Sequence, residues 1–200
     1  MEYTLSVVVF AFTASITPGP NTIMAMASGL NFGTQKSLPL LFGICTGFAA
    51  MLFVIGVGFG QIFEVFPMLN LYLKILGVGY LLYLASRIAK SGDMQSGSQR
   101  VKPLGFKNGV FFQWVNAKAW VVCVSAVSAF TTPGEFYLTQ LFTLTFAFLL
   151  LGPPCVAVWV ILGSYLKQQV GDSKIMRKVN VVLALLLALS VLPILYEVIV

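Results

Sequence analysis

Histidine is absent from all 200 residues, and aspartate and glutamate together number six. None of those carboxylates lies deep in an apolar run. General acid–base catalysis needs such groups held inside a site, so a membrane-embedded enzyme has almost nothing to work with. Cysteine is scarce as well. Cys45, Cys123 and Cys155 stand far apart inside apolar runs, without C-x-x-C spacing, and read as small packing residues. A heavy-metal exporter would need thiolates or carboxylates converging within the membrane. Only proximity of the three cysteines in the fold would revive that reading. No metal site and no cofactor are predicted.

Charge of either sign is the third shortage. Only 9% of the residues are charged and 58% are hydrophobic, and the mean hydropathy is +0.94. A soluble domain of this length needs more polar surface, so the chain is expected to be an integral membrane protein. Apolar runs of about twenty residues recur, which is the helical pattern; a membrane barrel would alternate polarity over about ten. No basic stretch precedes the first run and no small-residue cleavage site closes it, so it is expected to be a retained span. The fold class is therefore all-α and membrane-spanning.

Six spans are predicted, over 5–30, 38–60, 69–89, 108–130, 138–165 and 179–199. The one long connection, KSGDMQSGSQRVKPLGFK at 90–107, is polar and basic and reads as a linker. One membrane domain over 1–200 thus divides into a three-helix half at 1–89 and another at 108–200. Lys36, Arg87, Lys90, Arg100, Lys102, Lys107, Lys167, Lys174, Arg177 and Lys178 fall on one side of this layout. Glu2, Glu64, Glu135 and Glu197 fall on the other, with Lys74 the one cation near them. The positive-inside rule then puts the basic loops in the cytoplasm and both termini outside. The net charge of +6 follows from topology and needs no nucleic acid to explain it. Three spans followed by three more enter the bilayer in opposite senses, the plan of inverted-repeat transporters, whose sites lie near the midplane at broken helices. The halves share no visible sequence likeness.

The first break is predicted at TPGPN, residues 17–21. Pro18 and Pro20 lack an N–H and in a helix would free the carbonyls of Ala14 and Ile16. Hydrocarbon tolerates such a break only against protein or a wet cavity. Pro20 suits the first position of a new half-helix. The N–H groups of Asn21, Thr22 and Ile23 would then point back, unpaired, and with the helix dipole form an anion site for a carboxylate. The freed carbonyls could hold an ammonium. A zwitterion has both ends. The alternative is a purely structural kink, against which stand the doubled proline, Gly19 between them and the amide of Asn21.

The fourth span carries FFQWVNAKAW, residues 111–120. Asn116 would lie about 12 Å into a helix starting near 108, close to the middle of a core about 30 Å thick. Lys118 follows. An intramembrane lysine costs at least ~2.5 kcal/mol on insertion scales and is a functional candidate by default, unless it snorkels to the surface. Gln113 and Asn116 share a face, but Lys118 points about 200° from Asn116 in a regular helix. Either the segment is unwound there or the two serve different neighbours. Gly43/Gly47 and Gly56/Gly60 form G-x-x-x-G pairs that suit close helix packing. Gly152-Pro153-Pro154 is expected to interrupt the fifth span, as a hinge or second break. Ser125 and Ser128 share a face and are weaker candidates for a polar path. Trp114, Trp120 and Trp159 read as packing or lipid contacts.

TPGPN, FGICTGFAA, LKILGVGYLLYLA at 73–85 and QWVNAKAW together resemble the lysine exporter (LysE/RhtB) family of amino-acid exporters. The likeness runs in order over nearly the whole chain. QWVNAK and GPPCVAVWVILG are most similar to the cysteine and O-acetylserine branch. The resemblance implies export of amino acids or derivatives across a bacterial inner membrane, driven by proton motive force. It carries onto Pro18, Gly19, Pro20 and Asn21, onto Lys74, and onto Asn116 and Lys118. Many members read Asn-Pro-Lys where this chain has Asn116-Ala117-Lys118, so a second break lacks its proline. With Thr22, these residues except Lys74 are the expected substrate site. The expected partners are an amino acid and the lipid bilayer, with a homo-oligomer left open. A transport-inactive accessory subunit is the remaining alternative.

Overall fold

The structure, a computed structural model, describes residues 2–58, 67–91, 102–169, 173–192 and 195. Eight helices occur among them. These are α1 (Glu2–Ile16), α2 (Pro20–Phe32), α3 (Thr34–Gly56), α4 (Pro67–Ser91), α5 (Phe106–Val115), α6 (Ala117–Phe130), α7 (Tyr137–Gln169) and α8 (Ser173–Leu189). Most of the linker expected at 90–107, together with Glu64, lies outside the described residues.

The spans expected at 5–30 and 108–130 are each two helices, bent by 54° between α1 and α2 and by 72° between α5 and α6. α3 and α7 are each long and apolar enough to cross a membrane alone, and each bent pair is so when taken together. α8, with 17 residues among those described, is shorter than the 18 that a span by this criterion needs. Exposed positions carry Phe12, Phe42, Phe146, Leu150 and Ile161, apolar side chains that suit contact with lipid.

The packing is reciprocal. α1 and α2 run parallel along α7, with Phe12 beside Cys155, Ile16 beside Trp159 and Asn31 beside Lys167. α5 and α6 run along α3 in the same way. α3 and α7 cross antiparallel: Phe48 meets Phe148 with ring centroids 4.9 Å apart, and Phe53 meets Phe142 at 5.2 Å. α4 packs on α8.

Glycine makes two of these approaches possible. A Cβ on Gly29 would strike the carbonyl of Val160, and one on Gly163 would strike that of Met26. On the other side, a Cβ on Gly43 would strike the carbonyl of Phe106, and one on Gly109 would lie 2.6 Å from the Ile44 nitrogen. Membrane helices lack a hydrophobic drive toward each other, so backbone contact through small residues is how they associate. Of the expected G-x-x-x-G pairs, Gly43 and Gly47 receive α5, whereas Gly56 receives Leu141; Gly60 lies outside the described residues.

One expectation fails. Gly152-Pro153-Pro154 does not interrupt its span, and α7 is a single helix of 33 residues. Proline removes only the bonds to the carbonyls four residues back. Here α1 and α2 on one flank and α3 on another hold the helix on both sides of the motif. α3 likewise continues through Pro39.

Candidate functional site

At the first break α1 ends with Ile16, and Pro20 opens α2, as an N-terminal proline should. The Thr22 hydroxyl accepts from the Gly19 N–H and donates to the Gly19 carbonyl, both at 2.8 Å. Ile23 N–H also donates to Gly19, at 2.9 Å. The expected trio of open donors is therefore a pair. Among the described residues, the N–H groups of Asn21 and Thr22 have no backbone partner.

The carbonyls differ further from expectation. Ile16 O accepts from the Trp159 indole at 3.1 Å, so a residue read as packing also caps the break. Thr17 O accepts from Lys118 Nζ at 2.8 Å, and Pro18 O lies 3.4 Å from the same nitrogen. The protein's own cation thus meets two carbonyls of the break other than those of Ala14 and Ile16. Gly19 is extended rather than left-handed (φ 175°), so its backbone does not require glycine. A Cβ there would come within 2.9 Å of Lys118 Cδ and 3.3 Å of Nζ, a crowding that the flexible lysine side chain can relieve by shifting.

The second break needs no proline. Asn116 takes an extended conformation (φ −94°, ψ 104°), ending α5 and capping α6. Its N–H donates to Gln113 O at 3.2 Å, and its carbonyl accepts from Ala119 N–H at 2.9 Å. Of the two geometries left open by the spacing, the unwound one occurs. Asn116 and Lys118 line the same cavity. The Asn116 side chain is only 1% exposed, and its Oδ1 has no hydrogen-bond partner. A buried unsatisfied acceptor costs about 1–3 kcal/mol, and this one belongs to a residue of the cavity wall.

A second link joins the breaks. Asn21 Nδ2 donates to Gln113 Oε1 at 2.9 Å, and Gln113 Nε2 donates back to Asn21 Oδ1 at 3.0 Å. Sequence reasoning placed Gln113 on the face of Asn116 but found no partner 92 residues away.

The cavity between the breaks measures about 50 Å³. That is room for a few waters, so an occupant must be small or the walls must part. Its polar lining comes from the two breaks, through Thr17, Gly19, Asn21, Thr22, Asn116 and Lys118; α3 and α7 contribute Ile44, Cys45, Phe48, Phe148, Gly152 and Val156. Pro18 and Pro20 shape the break without lining the cavity. Lys74, half-buried on α4, does not line it either. Ser125 and Ser128 are exposed on α6 and lie outside it, because that face turns away from α3. Cys45 and Gly152 were missed as lining residues, although both lie in segments the resemblance singled out. The three cysteines are buried and free, and no group of three or more metal-ligating side chains occurs among the described residues.

A family model described as "LysE type translocator" matches residues 12–197. A relative in Escherichia coli (strain K12) named "Cysteine/O-acetylserine efflux protein" is 30% identical over 191 residues, covering 94% of each chain. One of the same name in Salmonella typhimurium is 29% identical over 188 residues, again 94% of each. A third, in Klebsiella pneumoniae, is 32% identical over 124 residues, 62% of this chain and 63% of its own. No solved structure matches. These relatives are transporters rather than enzymes, and the helix pattern is that of a membrane protein: the chain belongs to the LysE family of translocators.

Proposed function

We propose that the protein exports small neutral amino acids or their close derivatives, of the cysteine, O-acetylserine, homoserine or threonine type, and binds them in the cavity between the two breaks. The observation that carries this reading is the unpartnered Asn116 Oδ1, buried in a wall that also holds a helix N-terminus and a lysine. The substrate ammonium donates to Asn116 Oδ1. The carboxylate meets the open N–H groups of Asn21 and Thr22, where the half-helix dipole favours an anion. Lys118 swings from Thr17 O onto the carboxylate, and the substrate side chain turns toward α3 and α7. The names of the relatives support the same substrates.

The reading includes a six-span layout of two inverted three-helix repeats, supported by the reciprocal packing of each broken pair on the long helix of the other half. It places the protein in a bacterial inner membrane with both termini outside and the basic loops in the cytoplasm, on the charge pattern alone. Proton motive force drives export. Among the described residues Lys118 is the one charged side chain in the cavity wall and the natural point of coupling.

The test is counterflow in proteoliposomes against a panel of labelled amino acids. Uptake of labelled cysteine or O-acetylserine, competed by neutral but not basic amino acids, is expected. Liposomes that exchange none of the panel would overturn the reading.

A further inference from the structure

Gly152 is unlike the glycines at the helix crossings. Gly29, Gly43, Gly109 and Gly163 are each pressed against the backbone of a neighbouring helix, where a Cβ has no room. A Cβ on Gly152 would meet only Cys45, with Sγ at 3.4 Å and Cβ at 3.6 Å, which is ordinary contact. Packing therefore does not demand glycine at 152. The helix gives it one reason, since a residue before a helical proline is crowded at its Cβ by the proline ring and Pro153 follows directly, although alanine is otherwise the better helix former. What remains on that side is the cavity, which both Gly152 and Cys45 line.

The polar lining comes from the two breaks, through Asn116, Lys118 and the start of α2, whereas Gly152 and Cys45 belong with Phe48, Phe148 and Val156 to the cavity faces of α7 and α3. An amino acid whose charged groups meet the breaks turns its side chain toward those two helices. A methyl group takes about the space of one water, and the whole cavity holds only a few. One added carbon there is a large fraction of the room available.

We propose that Gly152 and Cys45 set the length of the substrate side chain that the transporter accepts. The missing side chain at 152 opens space beyond the substrate Cβ, and the Cys45 thiol, facing it across the gap, closes that space. The substrate class is then a neutral amino acid with a short side chain. This rests on the cavity being the substrate site. It gives a role to a glycine that contact with neighbouring helices does not require.

The experiment is counterflow in proteoliposomes with labelled cysteine and labelled O-acetylserine, read as the ratio of their kcat/KM values. The two differ in length beyond Cβ, with one heavy atom against four. Gly152→Ala should lower the O-acetylserine-to-cysteine ratio at least tenfold. Cys45→Ala should raise it, and the double variant should return it to within about threefold of wild type, because the added methyl then occupies the space the sulfur left. Cys45→Ala reads the same selectivity by itself if Gly152→Ala fails to insert. An unchanged ratio in either single variant, or a double variant no different from Gly152→Ala, would overturn the proposal while leaving export intact. Wild-type liposomes that exchange neither compound would instead overturn the export reading on which it rests.

Discussion

Lys118 Nζ donates to the carbonyl of Thr17 at 2.8 Å, joining the second helix break to the first across 101 residues. Each break alone would expose backbone polar groups to the membrane interior at a cost of several kcal/mol. Together they satisfy part of each other's demand. The tie is polar and made by one flexible side chain, so an incoming carboxylate can compete for it. Lys118→Met should abolish net efflux from proteoliposomes while leaving counterflow above background, since the cavity survives but the mobile charge is gone. Equal efflux by the Met and Lys forms would remove Lys118 from the transport cycle.

The prolines make the opposite test. Replacing Pro18 and Pro20 together by Ala restores two N–H groups and permits a helix to run through residues 17–19. The half-helix N-terminus would then be lost, and with it the open donors of Asn21 and Thr22. Transport should fall below a tenth of wild type with insertion unchanged. Asn21→Ala should cost less, because its backbone N–H remains, although it also removes the pair with Gln113. Normal transport by the double proline variant would place the substrate elsewhere.

Asn116 separates binding from folding. Its Oδ1 has no hydrogen-bond partner among the described residues, so Asn116→Ala should leave the melting temperature in detergent unchanged or slightly raised. A hydrogen bond to a charged group contributes about 1.5–3 kcal/mol, so substrate affinity should fall roughly ten- to a hundredfold in competition assays. Reduced stability with unchanged affinity would show that Asn116 serves only as a cap.

The first break was legible because proline chemistry is local: a missing N–H acts on the carbonyl four residues back, whatever surrounds it. The same logic misled at Gly152-Pro153-Pro154, where contacts from other helices hold α7 continuous. The second break stays one of two alternatives in the sequence, for the converse reason. Asn116 is not a residue that forces an extended backbone, and the groups that reward the bend, such as Thr17 O for Lys118, come from another span. Pairings across the fold leave no trace in a single sequence. Asn31 and Asn180, 149 residues apart, bond to each other through both amides in the buried core, yet neither stands out among the apolar residues around it. The segregation of charge predicts an orientation by counting spans alone.

That orientation can be checked directly. In a background lacking the native cysteines, Cys at Ser96 should be protected from an impermeant thiol reagent in intact cells, and Cys at Gly134 should react. Ser96 lies outside the described residues, so this expectation stands on the charge pattern alone. Labelling of both from outside would refute the six-span layout.

Substrate charge follows from what the cavity wall contains. Among the described residues it holds Lys118 and no Asp or Glu. Lysine or arginine would bring a second side-chain cation into that space, with nothing to neutralise it. Two unit charges about 6 Å apart at an effective dielectric of 20 repel by roughly 3 kcal/mol, about a hundredfold in affinity. A neutral amino acid avoids this, since its carboxylate meets Lys118 and the start of α2 while its ammonium turns to Asn116. Overexpression should therefore raise resistance to toxic neutral analogues and the external level of neutral amino acids. The stricter measurement is competition in counterflow: lysine should compete at least about fiftyfold more weakly than cysteine. Placing a carboxylate in the wall should narrow that gap, and Val122→Asp, on the lining face of α6, is the variant to use. Resistance to a lysine analogue alone, with no neutral amino acid exported, would sink the assignment.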